Sequence, residues 1–222
     1  MPAASVSGPK ATSAGAGGPQ VPGAATDEEL MLQCRGAPPD LAGRLIGELA
    51  RRHMERLATF IFGLTGDRSG ALDLAQEAFV RVFKHRESYR EIARFSTWLY
   101  TIGRNLALNE VRNRRRRPSP MGHAGADGAG SGEWDPLGGL ASGAPDPATA
   151  AQTSDLRAQV RAAIEELPEH YRAVVILCDL QERPYAEAAA ILEVPVGTIR
   201  SRLSRARAQL AGLLEGALEE GP

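Results

Sequence analysis

The chain has 222 residues, and its 26 Lys and Arg residues nearly balance its 27 Asp and Glu residues, giving a formal net charge of −1. This length indicates one or two small domains, and the neutral balance removes any general argument that a basic protein binds nucleic acid. The longest unbroken apolar run, Ala173 to Cys178, is six residues, far short of the ~20 residues that a membrane-spanning helix needs, so we expect no membrane insertion.

Two stretches have a composition that is typical of disorder. Residues 1–26 and 118–153 consist mostly of Ala, Gly, Pro and Ser and lack apolar periodicity, so they cannot bury enough apolar surface to offset the entropy of the chain. We predict a disordered N-terminal extension (1–26) and a flexible linker (118–153). These divide the chain into two ordered domains, 27–117 and 154–218.

Apolar residues recur at helical spacing in both ordered segments, and neither segment shows the alternation of a strand. The pattern predicts three helices in the first segment, over Asp40–Phe62, Leu72–Phe83 and Phe95–Leu106. The second segment predicts four, over Leu156–Leu167, Tyr171–Leu180, Tyr185–Leu192 and Gly197–Leu214. The predicted fold class is therefore all-α, with two small helical domains joined by a flexible linker.

The last two predicted helices, with a short turn at Pro195, fit a helix-turn-helix. In the second of them Ile199, Leu203 and Ala206 repeat on one face, which predicts that this face is buried. The opposite face carries Arg200, Ser201, Ser204 and Arg205, with Arg202 and Arg207 beside it. Arginine and serine suit base edges in the DNA major groove, and flanking arginines suit phosphates. The alternative at this point is a solvated basic helix.

Two polar helical faces lie in the first segment. One contains Asp73, Gln76 and Glu77, and the other contains Thr101, Arg104, Asn105 and Arg112, followed by an arginine run at 114–117. Trp98 is expected to pack in the core. Taken alone, the first face is interpreted as a solvent-exposed surface, and the arginine run could be a frayed helix end.

The runs DLAQEAFVRVF, FSTWLYTIGRN and the five arginines after them resemble region 2 of the extracytoplasmic-function (ECF) sigma factors of bacterial RNA polymerase. LPEHYRAVVIL and VPVGTIRSRLSRAR resemble region 4 of the same family. The resemblance implies a helical region 2 that binds core polymerase and the −10 element, and a region 4 helix-turn-helix that binds the −35 element. It also implies three partners, namely the β′ clamp helices and β flap of core polymerase, promoter DNA, and an anti-sigma factor.

The implied roles transfer to positions that match the family motifs. Those for polymerase binding are Asp73, Leu74, Gln76 and Glu77. Those for the −10 element are Tyr89 and Arg94, which bound a short loop that captures a flipped base, together with Thr101, Arg104, Asn105 and Arg112. Those for the −35 element are Thr198, Arg200, Ser201, Arg202, Ser204, Arg205 and Arg207.

Two positions depart from the family pattern, and two other functions stay open. Leu72 replaces an acidic residue in the docking helix, and Gly103 replaces an alanine at a helix cost of about 1 kcal/mol.

One alternative is a helix-turn-helix regulator that binds duplex DNA without polymerase. The other is a sigma-like decoy that sequesters an anti-sigma factor, although such a decoy has no need of the arginines at 200 and 205.

No arrangement typical of catalysis or metal binding is present in the sequence. There is no Ser/His/Asp set, no glycine-rich phosphate loop and no metal-ligand spacing, and Cys34 and Cys178 form neither a disulfide framework nor a CxxC pair. We therefore expect no enzymatic activity, no cofactor and no metal, and a location in the reducing cytoplasm.

Overall fold

A computed structural model describes residues 25–116 and 147–219, with side chains from 156 to 216 in the second range. The first range forms an N-terminal bundle of four helices: α1 (Asp27–Cys34), α2 (Pro39–Thr65), α3 (Arg68–His85) and α4 (Phe95–Arg116). The second forms a C-terminal bundle: α5 (Pro147–Glu166), α6 (Glu169–Val175), α7 (Tyr185–Leu192) and α8 (Val196–Glu219). No strand occurs in either range, so the all-α prediction is confirmed there.

The N-terminal bundle is organised around α2, which packs against α1, α3 and α4. The helical stripes predicted from the sequence supply its core, including the fully buried Leu57, Ile61, Ala75 and Leu99. Helix α2 ends where Gly66 adopts a φ of +67°, a left-handed conformation that glycine takes at low cost. This sharp end lets α3 turn back along α2.

Helix α1 was not predicted as a helix, because it has only eight residues and no clear apolar stripe. Its start is fixed by a capping box in which the Thr26 hydroxyl accepts from the Glu29 amide at 3.2 Å and the Glu29 carboxylate accepts from the Thr26 amide at 2.8 Å. Such reciprocal bonds satisfy otherwise unpaired donors at a helix start. Met31 and Cys34 then anchor α1 in the core.

The start of the second bundle lies inside the stretch that we interpreted as linker. Helix α5 begins at Pro147, within the predicted linker of 118–153. Alanine is the strongest helix former, so an alanine-containing stretch can be helical even where its composition, counted together with Gly and Pro, is typical of a linker. The rest of that predicted linker up to residue 146, and residues 1–24 of the predicted extension, lie outside the described residues.

Helix α6 continues into a wider π-type turn at Ile176–Leu180, closed by a hydrogen bond from the Gln181 amide to the Ile176 carbonyl at 3.0 Å.

The two bundles are also in contact. Helix α2 packs against α6 and this turn, and α4 packs against α7. The sequence predicted two domains on a tether, and it contained no signal for this docking.

Candidate nucleic-acid and polymerase interfaces

The outward face of α8 carries four of the residues that the sequence predicts to read the −35 element. Ile199, Leu203 and Ala206 are buried with at most 1% exposure, and they hold α8 against α6 and α7. This orientation leaves the predicted base-reading side chains exposed: Arg200, Ser201, Ser204 and Arg205. The geometry therefore presents guanidinium and hydroxyl groups together on one helical face, which is the chemistry that base edges in a major groove accept.

The other residues predicted to bind the −35 element are either paired with a neighbouring side chain or half-buried. Arg207 donates to both carboxylate oxygens of Asp179, at 2.5 and 3.1 Å, and this pairing raises the pKa of Arg207. Thr198 and Arg202 are half-buried, and the Thr198 carbonyl accepts from the Ser201 hydroxyl at 3.1 Å. A phosphate contact by Arg207 would therefore have to compete with Asp179.

The predicted polymerase-binding face lies on α3. Asp73 and Gln76 are exposed, and Leu74 and Glu77 are half-buried. Glu77 pairs with Arg81 one turn later at 3.0 Å. Val80 is 44% exposed on the same helix. The sequence interpretation overlooked Val80, although its position outside the apolar stripe was the available signal. Val80 adds an exposed apolar side chain to a predicted face that already includes Leu74.

Tyr89 does not lie where a base-contacting side chain would. It is 2% exposed, and its ring packs against Trp98 and Phe95 with centroid separations of 5.3 and 6.4 Å. Burial raises the pKa of Tyr89 to about 12. This corrects the expectation that both ends of the 89–94 loop face DNA, since the Tyr89 side chain anchors the loop in the core while Arg94 is exposed.

Helix α1 supports the start of α4 through residues that the sequence interpretation missed. The Glu28 carboxylate accepts from the Phe95 amide at 2.9 Å and so caps α4, a favourable place for an anion. A second carboxylate of α1 contacts α2. The Asp27 Oδ2 atom lies 2.6 Å from His53 Nε2, and the Asp27 Oδ1 atom lies 3.0 Å from a guanidinium nitrogen of Arg52. Burial opposes ionisation of Asp27, but hydrogen bonds to His53 and Arg52 lower its pKa overall.

Helix α4 displays only part of the predicted −10 face. Asn105 and Arg112 are exposed, and Thr101 is half-buried with its hydroxyl donating to the Thr97 carbonyl at 2.8 Å. Trp98, expected in the core, is half-buried. Arg104 is not freely displayed, because its side chain is only 15% exposed and pairs with Glu193 of the C-terminal bundle at 2.9 Å.

The arginine run at the end of α4 divides into paired and free members. Arg114 forms ion pairs with Asp67, at the start of α3, and with Glu110. Burial alone would raise the pKa of Asp67, but Arg114 and the first amides of α3 lower it overall. Arg115 and Arg116 are exposed, and Arg117 lies outside the described residues. The run is thus a continuous helix end to residue 116.

Among the residues that the structure describes, no group of three or more His, Cys, Asp or Glu side chains could hold a metal ion. No helix among them is both long enough and apolar enough to span a membrane.

Comparison with known proteins identifies both bundles. The family description "Sigma-70 region 2" matches residues 49–117, and "Sigma-70, region 4" matches residues 157–210. The RNA polymerase sigma-H factor of Pseudomonas aeruginosa is 31% identical over 172 residues, which cover 78% of this chain and 87% of that protein. The ECF sigma-E factor of Escherichia coli K12 is 38% identical over 135 residues, which cover 61% of this chain and 69% of that protein. The chain belongs to the ECF sigma factors of the sigma-70 family. Region 2 corresponds to the N-terminal bundle, and region 4 corresponds to the C-terminal bundle.

A further relative of this sigma factor is the ECF sigma factor SigE of Mycolicibacterium smegmatis. It is 35% identical over 172 residues, which cover 75% of this chain, and the chain spans 60% of the length of that protein.

Two solved structures share the fold at 24% identity. CnrH, solved in complex with the cytosolic domain of CnrY, has a TM-score of 0.56 and covers 86% of this chain and 97% of its own. The sigma factor RpoE of Bartonella quintana, solved with the anti-sigma factor NepR, has a TM-score of 0.56, and the match covers 76% of this chain and 96% of the RpoE chain.

Proposed function

We propose that this sigma factor binds core RNA polymerase and directs promoter-specific initiation of transcription. The exposed α3 face of Asp73, Leu74, Gln76 and Glu77 docks on the β′ clamp helices, and region 4 contacts the β flap. Helix α8 reads the −35 element. Helix α4 and the 89–94 loop help to recognise and open the −10 element.

The observation that carries the proposal is the presence of both sigma regions in one chain, with the α8 arginines and serines exposed. Each region alone presents few contacts to DNA. When core polymerase holds both, the second contact becomes effectively intramolecular, and the affinities multiply. A conventional helix-turn-helix regulator would leave the region 2 match and its exposed α3 face without a purpose.

We further propose that the protein acts in the cytoplasm, as a recognition subunit without chemistry of its own, and that an anti-sigma factor controls it. RpoE of Bartonella quintana was solved with an anti-sigma factor, and CnrH was solved with the cytosolic domain of CnrY. A partner of this kind would act by covering the α3 face or the two DNA-reading faces.

Transcription in vitro tests the proposal. Purified chain, core polymerase and a genomic promoter library should give transcripts that share a −35 and a −10 motif, and core polymerase alone should not. A variant with Arg200→Ala and Arg205→Ala should retain polymerase binding and lose those transcripts. Polymerase binding by the wild-type chain without any promoter-specific transcript would favour the decoy function. Tight duplex binding without polymerase would favour the regulator.

A further inference from the structure

The 89–94 loop leaves the core of the N-terminal bundle and returns to it within a few residues. At its start Tyr89 is 2% exposed, and directly after its end Phe95 is fully buried, with 6.4 Å between the centres of the two rings. The residues between them, 90–94, are all exposed, and Ile92 is 90% exposed. The two buried rings fix where the loop begins and ends, whereas its backbone needs hydrogen bonds to hold one conformation.

The amide that follows the loop is bonded to α1. Phe95 is the first residue of α4, so its amide has no acceptor within that helix. The Glu28 carboxylate accepts from this amide at 2.9 Å. Glu28 is half-buried, so the bond is partly shielded from water. Helix α1 therefore helps to set the direction in which the chain passes from the loop into α4.

The other end of α1 holds the segment that precedes the loop. The Gly36 amide, two residues after α1 ends, donates to both carboxylate oxygens of Glu87, at 3.1 and 3.2 Å. Glu87 lies in a short 3-10 turn, Arg86–Ser88, that leads into the loop. Gly36 has a φ of +67°, which glycine adopts at low cost. Helix α1 and the turn after it are thus bonded to the chain on both sides of the loop.

Helix α1 can support the loop because it is itself fixed to α2. Asp27 pairs with His53 and Arg52 of α2. The Arg52 guanidinium also donates to the Ala25 carbonyl, just ahead of α1, at 2.8 Å. Neighbouring carboxylates of α1 therefore have different tasks: Asp27 ties α1 to α2, and Glu28 ties α1 to α4.

We infer that α1 holds the 89–94 loop in one conformation before DNA binds, with Glu28 and Glu87 as positioning residues for contact with the −10 element. The inference rests on the proposed role of the loop in recognising and opening that element. A loop that is already ordered loses less conformational entropy on binding, and a small displacement of a binding group weakens a precise contact. The two carboxylates need not touch DNA, because they act through the backbone of the loop. Helix α1 lies before the segment matched as region 2, which begins at residue 49.

Hydrogen exchange, followed by nuclear magnetic resonance on the full chain, tests the bond at the end of the loop. Glu28→Ala removes the acceptor, so the Phe95 amide should exchange about 10-fold faster. Glu28→Gln keeps an amide oxygen that can accept the same bond and should retain slow exchange. The matched control is Glu55→Ala, which removes an exposed glutamate of α2 that forms no ion pair with another described residue. Exchange of the Phe95 amide in this control should stay at the wild-type rate.

A nitroxide spin label on Ala93→Cys reports the order of the loop itself. Ala93 is exposed, and the background carries Cys178→Ser and retains the fully buried Cys34. Glu28→Ala and Glu87→Ala should each narrow the electron paramagnetic resonance lines of the label, and the double variant should narrow them further. The glutamine variant and the α2 control should give the lines of the parent.

Glu87→Ala keeps the test independent of any damage to the fold. The Glu87 side chain is 60% exposed, so its removal should leave the unfolding midpoint, measured by circular dichroism, unchanged. It acts on the opposite end of the loop from Glu28. Unchanged resonance lines in the double variant would overturn the inference.

Promoter opening by the reconstituted holoenzyme tests what the positioning does. Permanganate reactivity of unpaired thymines measures opening, and a duplex that carries only the −35 element measures the contact made by region 4. Opening should fall about 3- to 10-fold in Glu28→Ala and in Glu87→Ala, while binding to core polymerase and to the −35 duplex should stay at wild-type values. Glu28→Gln should open the promoter as the wild type does.

The two readouts together separate the possible outcomes. Narrower lines with unchanged opening would refute a positioning role in promoter opening. Reduced opening without any change in the lines would mean that the carboxylates act on DNA or polymerase directly, contrary to the inference. Failure of the proposed function is distinguishable, because the wild-type holoenzyme would then give no promoter-specific transcripts while the differences in exchange and in the resonance lines persist.

Discussion

Arg172 joins two helices of region 4, and its removal should destabilise that bundle strongly. The side chain is 8% exposed and donates to the carbonyls of Ile164 at 3.1 Å, Glu165 at 2.5 Å and Leu167 at 2.9 Å. These carbonyls lie at and just beyond the end of α5, where backbone acceptors have no partner within the helix. Burial lowers the pKa of Arg172, because a guanidinium removed from water loses hydration.

The expected loss in the free energy of unfolding follows from these hydrogen bonds. A hydrogen bond from a charged donor contributes about 1.5–3 kcal/mol, and a buried acceptor left unpaired carries its own penalty. Counting only the two fully buried bonds, to Ile164 and Leu167, Arg172→Leu should cost about 3–6 kcal/mol. At about 0.05–0.15 kcal/mol per residue, a bundle that spans residues 147–219 has a total stability of about 4–11 kcal/mol.

Urea denaturation followed by circular dichroism at 222 nm measures this loss. Arg172→Leu should unfold region 4 at a much lower urea concentration. Arg205→Leu makes the same change on an exposed face and should shift stability by no more than about 0.5 kcal/mol. Equal midpoints for the two variants would refute the assignment of Arg172 as the cap of α5.

Further substitutions test the DNA-reading arginines, the predicted polymerase-binding face and the buried Tyr89 hydroxyl. Arg200→Ala or Arg205→Ala should cost about 1–3 kcal/mol at particular −35 bases in holoenzyme binding, whereas Arg115→Ala should weaken all sequences evenly and flatten the salt dependence; equal losses for Arg200→Ala on matched and scrambled promoters would contradict this. Asp73→Ala should reduce association with core polymerase in a pull-down at an unchanged unfolding midpoint, because the side chain is exposed, and a lowered midpoint would place it in the fold instead. Tyr89→Phe should raise the free energy of unfolding by about 1 kcal/mol, since the buried hydroxyl has no partner among the described residues; a loss of stability would mean that the hydroxyl is bonded.

Local periodicity accounts for what the sequence predicted correctly. The helix over Tyr185–Leu192 was predicted with the bounds that the structure shows, and the buried and exposed faces of α8 follow its 3.6-residue repeat. Such patterns depend only on neighbours along the chain. The same argument could not place Tyr89, because its burial depends on Phe95 and Trp98 folding back over it from the start of α4.

Gly103 shows how a tertiary contact changes the meaning of a residue. From sequence it is a departure that weakens α4 by about 1 kcal/mol. In the structure a Cβ atom at this position would lie 2.9 Å from the Leu57 Cδ1 atom and 3.4 Å from the Ile61 Cδ1 atom of α2. Both leucine and isoleucine are fully buried. The glycine therefore permits the close crossing of α2 and α4, and the loss in helix propensity is offset by packing.

Several arginines in the predicted DNA-binding parts of the chain already have carboxylate partners within the protein. Three arginines in or beside the predicted DNA-binding faces already pair with carboxylates of the same chain: Arg104 with Glu193, Arg114 with Asp67 and Arg207 with Asp179. A guanidinium that suits a phosphate also suits a carboxylate, so any DNA contact proposed for these residues would first have to break an internal pair. On the proposed function, we therefore expect DNA binding to be weak until polymerase holds both regions. Selectivity would then depend on exchanging internal partners for DNA, and a large positive charge would not be required.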